Sequence, residues 1–132
     1  AMTQLYTYET FTPGTVLGEW AEPLDARLVA TWGRLFGAEA RDQPARQVGL
    51  TVALMIRAYL NVVTPRPPGN IHAQQILSID GLPGVGETVR SRIRCLGKEI
   101  RRERRYLQLE VSGVGERERN LYTGRMNLIW AA

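Results

Sequence analysis

The 132-residue chain is poor in several residue types on which small domains commonly rely: it has one cysteine, one histidine, one lysine and two phenylalanines. The lone Cys95 excludes an internal disulfide and a cysteine-rich metal site, so no metal is expected and a reducing cytoplasm is the expected compartment. No stretch near the N-terminus joins a basic start to an apolar run, which argues against secretion. Long hydrophobic runs are also missing. The longest apolar stretch, Val48 to Val63, is shorter than the roughly 20 residues of a membrane span and carries Arg57 and Asn61. A buried helix is expected there. Neither repeats nor low-complexity tracts divide the sequence, and the length is too small for two ordinary domains, so residues 1–132 are expected to form a single domain.

What is present is a 44% hydrophobic composition and a net charge of +4, carried almost wholly by arginine. A GC-rich genome and a phosphate-binding role both produce that bias, and composition does not separate them. Thr15 to Trp20 is a short β-prone run after the turn residues Thr12-Pro13-Gly14. Asp25 can cap a helix in which Leu28, Val29, Trp32, Leu35 and Phe36 recur at helical spacing up to Gly37. Residues 38–46 are polar, and Pro44 is expected to break any regular helix there. Val48 to Val63 is apolar nearly all round, which a helix tolerates only when other elements cover most of its circumference. Pro65, Pro67, Pro68 and Gly69 then force a connection.

Everything that follows reads as strand. Ile71 to Ile79 is the first, and Pro83-Gly84-Val85-Gly86 turns the chain into the next. Thr88 to Lys98 alternates, with Val89, Ser91, Ile93 and Cys95 on one face and Arg90, Arg92 and Arg94 on the other. The arginine row is expected to be answered across the ladder by Glu110 or Glu103. Tyr106 to Val114 and Leu121 to Trp130 repeat the alternation, with Leu107, Leu109, Val111, Tyr122, Met126, Leu128 and Trp130 inward. The connection lengths favour antiparallel pairing.

One long helix with no second apolar element to cover it must be wrapped by the sheet itself. The expectation is an α+β hotdog fold, an antiparallel sheet of about five strands around Val48 to Val63. An open sheet leaves unpaired edge groups, which predicts edge-to-edge pairing into a homodimer or a heterodimer with another hotdog subunit. The order and spacing of Phe11-Thr12-Pro13-Gly14, the Gly37 to Pro44 loop, the Gly49-led helix ending in Ala58-Tyr59-Leu60, and Gly84 to Val89 resemble the MaoC-like acyl-CoA dehydratase/hydratase family from Phe11 to Trp130.

That resemblance implies hydration of an enoyl thioester, or the reverse dehydration, with coenzyme A or carrier thioester as substrate or ligand and no separate cofactor. It also implies an Asp and a His ahead of the central helix, together with backbone N–H groups at its start. Asp42 stands at the family's Asp, offset by one residue, and Pro44 at its Pro, but Arg46 stands at its His. A guanidinium with a pKa above ~12 is no general base, whereas an imidazole near ~6.5 both takes and gives a proton. His72 is the substitute imidazole the chain offers. Gly49 would let a thioester carbonyl approach the helix start, and Met55 and Tyr59 would line the acyl chain. Arg101, Arg102, Arg104 and Arg105 would hold coenzyme A phosphates.

Whether the chain is an enzyme stays open on these residues. The alternatives are a non-catalytic hotdog subunit partnering a catalytic paralogue, and a thioesterase. No membrane partner is expected. Nucleic acid ranks below these readings, because no recognition helix or stacking motif accompanies the arginines.

Overall fold

The computed structural model describes residues 4–27 and 43–132, the side chains of residues 43–47 excepted. The helix expected from Asp25 lies outside the described residues beyond its helical Ala26 and Arg27, as does Asp42. Strand β1 is Val16–Pro23, helix α1 is Gln43–Val62, and β2 to β5 are Ile71–Ile79, Thr88–Arg101, Arg104–Val114 and Asn120–Trp130. The strands form one sheet in the order β1-β3-β4-β5-β2 with every neighbouring pair antiparallel. The Pro83 to Gly86 segment is therefore not a hairpin: it crosses from one sheet edge to the strand beside the other.

Helix α1 begins at Gln43, five residues before the expected Val48. Pro44 opens the helix where a break was expected. The reason is that proline in a first turn gives up an N–H that has no intrahelical partner, and its fixed φ already suits the helix. No helix among the described residues is long and apolar enough to cross a membrane. Strand β3 runs past Lys98 to Arg101 and β4 starts at Arg104. The arginine tract is thus a two-residue hairpin turn, with positive φ at Arg102 (52°) and Glu103 (65°).

Alternation decides which face is buried. Val89, Ser91, Ile93, Cys95, Leu107, Leu109, Val111, Tyr122, Met126, Leu128 and Trp130 are buried as expected, each large aliphatic one contributing roughly 1.5–3 kcal/mol. Met55 and Val62 of α1 pack beside Gly124 of β5 and Gly18 of β1. Arg57 ion-pairs with Glu22 near the end of β1, so α1 runs antiparallel to β1 and starts at the Leu24, Glu87 and Tyr122 end of the sheet. The opposite end is closed by residues 5–11: Trp130 Nε1 donates to the Tyr6 carbonyl at 2.8 Å, and the Phe11 and Trp130 rings meet edge to face at 5.2 Å.

Two contacts fix the interior at the helix-start end. Ser91, Gly113, Tyr122 and Ile79 form one cross-sheet row on the inner face. Because Gly113 has no Cβ, the Tyr122 ring lies flat across β4 and its hydroxyl shares a 2.6 Å hydrogen bond with Ser91 Oγ. Glu87, largely buried, accepts from the backbone N–H of Gly84 at 2.9 Å and of Glu116 at 2.7 Å, and from Arg119 at 2.6 Å. One carboxylate thus ties the β2–β3 connection to the β4–β5 turn.

The outer arginine row is answered more widely than expected. Arg94 pairs with Glu110 as foreseen, while Arg92 pairs with Glu19 and Arg90 with Glu118. Glu103 pairs with none of them, because it sits in the turn itself.

A methyl at Gly113 overlaps the Tyr122 ring, so Gly113→Ala is expected to lower stability by about 1–3 kcal/mol, read from urea unfolding. Gly84→Ala, where a Cβ meets nothing within 4 Å, is expected to stay within about 0.5 kcal/mol. The backbone N–H donors of Gly84 and Glu116 hold the Glu87 carboxyl below the usual carboxylate range. Its stabilisation is therefore complete above the ordinary glutamate value of about 4.3 and lost as pH falls through the lower folded-state value. Glu87→Gln should be less stable than the parent at neutral pH, and the gap should close on acidification; a pH-independent gap contradicts this.

Candidate functional site

The inner face holds three polar constellations. The Tyr122–Ser91 pair is buried on the face of the sheet that α1 covers, two residues along β5 from Gly124, over which Met55 packs. Burial pushes the Tyr122 phenol up to about 12, with the Ser91 hydrogen bond opposing. One turn along from Met55, Tyr59 is likewise pushed up to about 12 by burial, opposed by Arg66, whose guanidinium sits 5.5 Å from its ring centre. Both phenols stay protonated at neutral pH, so they can orient a ligand by hydrogen bonding but do not serve as bases. The third constellation is Glu22, which accepts from Arg57 and, at 3.3 Å, from Trp20 Nε1. The Glu22 hydrogen bond raises the Arg57 guanidinium further, against the effect of burial. No local motif announces the Ser91–Tyr122 or the Glu22–Arg57 partnership: the cross-sheet register brings the first together, and the packing of α1 on β1 the second.

The structure distributes the sequence-derived candidates rather than assembling them. Asp42 lies outside the described residues, and Arg46 is within the first turn of α1 with its side chain not described. Gly49 is buried, but the earlier helix start puts it in the second turn, where its N–H faces an intrahelical carbonyl in place of an open site. Met55 and Tyr59 share one helix face and are both packed into the core.

His72 stands opposite Leu128, on the inward side of the edge strand but exposed. That is the Trp130 end of the sheet, remote from the helix start, so one chain does not bring its imidazole to Gly49. The four hairpin arginines occupy the same remote end but are divided between the two faces of the sheet and the turn. Arg105 donates to the Ala131 carbonyl at 3.2 Å, and Arg101 stacks 4.5 Å from the Tyr106 ring centre. Arg104 stands directly opposite Arg101, and Arg102 is at the turn. Among the described residues no group of His, Cys, Asp and Glu is placed to hold a metal.

No family model matches the chain, and no curated protein matches it. Solved structures do. The unliganded (R)-hydratase PhaJ1 from Pseudomonas aeruginosa is 16% identical, with a TM-score of 0.73 over 94% of this chain and 84% of that one. A MaoC-like dehydratase from Rhodospirillum rubrum is 14% identical, with a TM-score of 0.72 over 96% and 98%. The ChsH1-ChsH2 complex from Mycobacterium tuberculosis is matched at 13% identity and a TM-score of 0.70 over 91% and 98%. A five-stranded antiparallel sheet closed around one helix, superposing over nearly the whole chain on these proteins, gives this chain the hotdog fold in the form taken by MaoC-like dehydratases and (R)-hydratases.

Proposed function

We propose that this chain is one half of a paired hotdog hydratase/dehydratase that takes an acyl thioester of coenzyme A or of an acyl carrier in the cytoplasm. The observation that carries the reading is the edge at β2, which pairs on one side only among the described residues. Its nine residues, Ile71–Ile79, include no Asp, Glu, Lys or Arg, and Ile71 and Ile76 are each more than half exposed, at 54% and 53%. Exposed edges that remain unpaired are usually protected by charge, proline or shortness, and this edge has none of these. A second hotdog edge is the occupant such a strand fits, and the similarity to a complex of two chains, ChsH1-ChsH2, supports it.

Pairing also accounts for the scattered site. Hydration joins water oxygen to the β-carbon of the enoyl thioester and delivers a proton to the α-carbon, so a base must take a proton from water and an acid must return one. In this chain Asp42 supplies a carboxylate, while Arg46 occupies the place of the imidazole. The missing proton carrier comes from the second chain. If that chain is another copy, antiparallel β2 pairing about Gln75 sets His72 of one copy level with Ser78 of the other, the end where α1 begins. If it is a paralogue, its own His serves. Met55 and Tyr59 border the acyl chain where the two protomers meet.

A charge placed on the edge tests the pairing: Ile76→Lys is expected to halve the mass measured by sedimentation, with the thermal transition still cooperative. A parent chain that is monomeric both alone and when co-expressed with a His-bearing hotdog neighbour overturns the paired reading. For the reaction, enoyl absorbance of crotonyl-CoA and longer enoyl-CoAs should fall with the paired protein. Asp42→Asn should lower the rate by about 100-fold or more. Loss of absorbance matched by equimolar release of free thiol would assign a thioesterase instead, since hydration consumes the double bond and leaves the C–S bond intact.

A further inference from the structure

The face of the sheet turned away from α1 carries a cavity of about 520 Å³ beside the arginine hairpin. That volume lies within the range of small-molecule sites. It exists because Gly97, at the β3 bulge, has open space where a side chain would stand over Gln108. Its floor is a chain of side-chain amides across three strands. Gln108 Nε2 donates to Asn127 Oδ1 at 3.0 Å, and Asn127 Nδ2 donates to Gln74 Oε1 at 2.9 Å. The ladder runs in one direction, so the Gln74 amide nitrogen is left as a donor at one end and the Gln108 carbonyl as an acceptor at the other.

The wall is cationic. Arg101 lines the cavity, stacked on Tyr106 and only 3.7 Å from an exposed Glu99. Arg104 is its direct cross-strand partner on the same face and makes no hydrogen bond or ion pair with the described residues. Like charges directly opposite one another are unfavourable. The two-residue turn nevertheless holds them together, through non-glycine residues at positive φ where Asn-Gly is the usual filling. Arg101 lines the cavity and Arg104 stands at its rim, opposite Arg101 in the ladder; an anion bound beside this pair would relieve the repulsion through charge-assisted hydrogen bonds.

From these features together we infer that the outer-face cavity binds a nucleoside phosphate, its base edge read by the Gln108–Asn127–Gln74 amides and its phosphates held by Arg101 and Arg104. Amide side chains match the paired donor and acceptor of adenine, and a guanidinium plane stacks on a base. The site is on the opposite face from Met55 and Tyr59 and does not depend on the thioester reading. The nucleotide can be free, or it can be the adenosine bisphosphate end of coenzyme A.

Isothermal titration of the full chain with ATP, ADP, adenosine bisphosphate, adenosine and inorganic tripolyphosphate tests the inference. Nucleotides are expected to bind about tenfold or more tighter than adenosine or tripolyphosphate. Arg101→Ala combined with Arg104→Ala is expected to weaken nucleotide binding about tenfold or more. Gln108→Ala should weaken nucleotide several-fold and leave tripolyphosphate unchanged. Gly97→Leu fills the cavity without removing any polar group; it should abolish nucleotide binding at an unaltered thermal midpoint, and it keeps the test open if Gln108→Ala does not fold. Tighter binding of adenosine bisphosphate than of ATP assigns the coenzyme A end, and the reverse order a free nucleotide. Failure of every nucleotide to bind, equal affinity for tripolyphosphate and ATP, or binding that survives Gly97→Leu overturns the inference.

Discussion

Among the described residues the fold depends on the helix α1 lying on the concave side of a five-stranded sheet. Its Leu54, Met55, Ala58 and Tyr59 are buried there, and each central strand turns its apolar residues to the same side. Close packing then sets local requirements. Where Met55 of the helix and the Tyr122 ring press against the sheet, the backbone beneath is Gly124 and Gly113. These positions are bare because a ring or thioether already occupies the space of their Cβ atoms.

The same constraint leaves two open ends, and the chain closes them by different means. At the helix C-terminal end, residues 5–11 fold back over Trp130, joining aromatic packing to main-chain hydrogen bonds from Tyr6 to Pro65 and from Tyr8 to Ala132. Lys98 adds a hydrogen bond to the Tyr8 carbonyl while lying over its ring. At the helix-start end the closure is polar, with Glu87 gathering donors from the β2–β3 connection and the β4–β5 turn. The apolar end relies on burial. The polar end relies on an ionised carboxylate, so the two respond differently to acid.

Much of this architecture was legible in the sequence because period-two alternation reports burial directly: β3, β4 and β5 each bury one side and wet the other, as their residues predict. Strand β2 was legible in extent but not in position. Ile71, Ile76, Leu77 and Ile79 read alike whether covered or bare, and only the strand order shows that they lie on an open edge. The helix start was misjudged because proline signals a break and an opening with the same residue. The candidate site was much less legible. Gly49 moved into the helix interior once the start moved, and His72 proved to lie at the wrong end for its own helix. The Glu22–Arg57 and Ser91–Tyr122 partnerships join residues 35 and 31 positions apart, a separation at which no local pattern speaks.

The outer face follows a different logic. Once alternation has committed one side of each strand to the core, the other side is energetically lenient, since exposed ion pairs contribute about 0–1 kcal/mol each. Along β3 and its neighbours that leniency is used conservatively: Arg90, Arg92 and Arg94 each find a carboxylate. Farther along the same face the pattern changes. Arg101 has Glu99 at a loose 3.7 Å, both well exposed, while Arg104 faces Arg101 and the amides of Gln108, Asn127 and Gln74 join in a one-way ladder. A solvated face needs neither arrangement. Two opposed guanidinium groups add repulsion and a side-chain ladder costs rotamer freedom, so the departure from simple charge pairing marks the part of the sheet whose residues do something other than hold the fold.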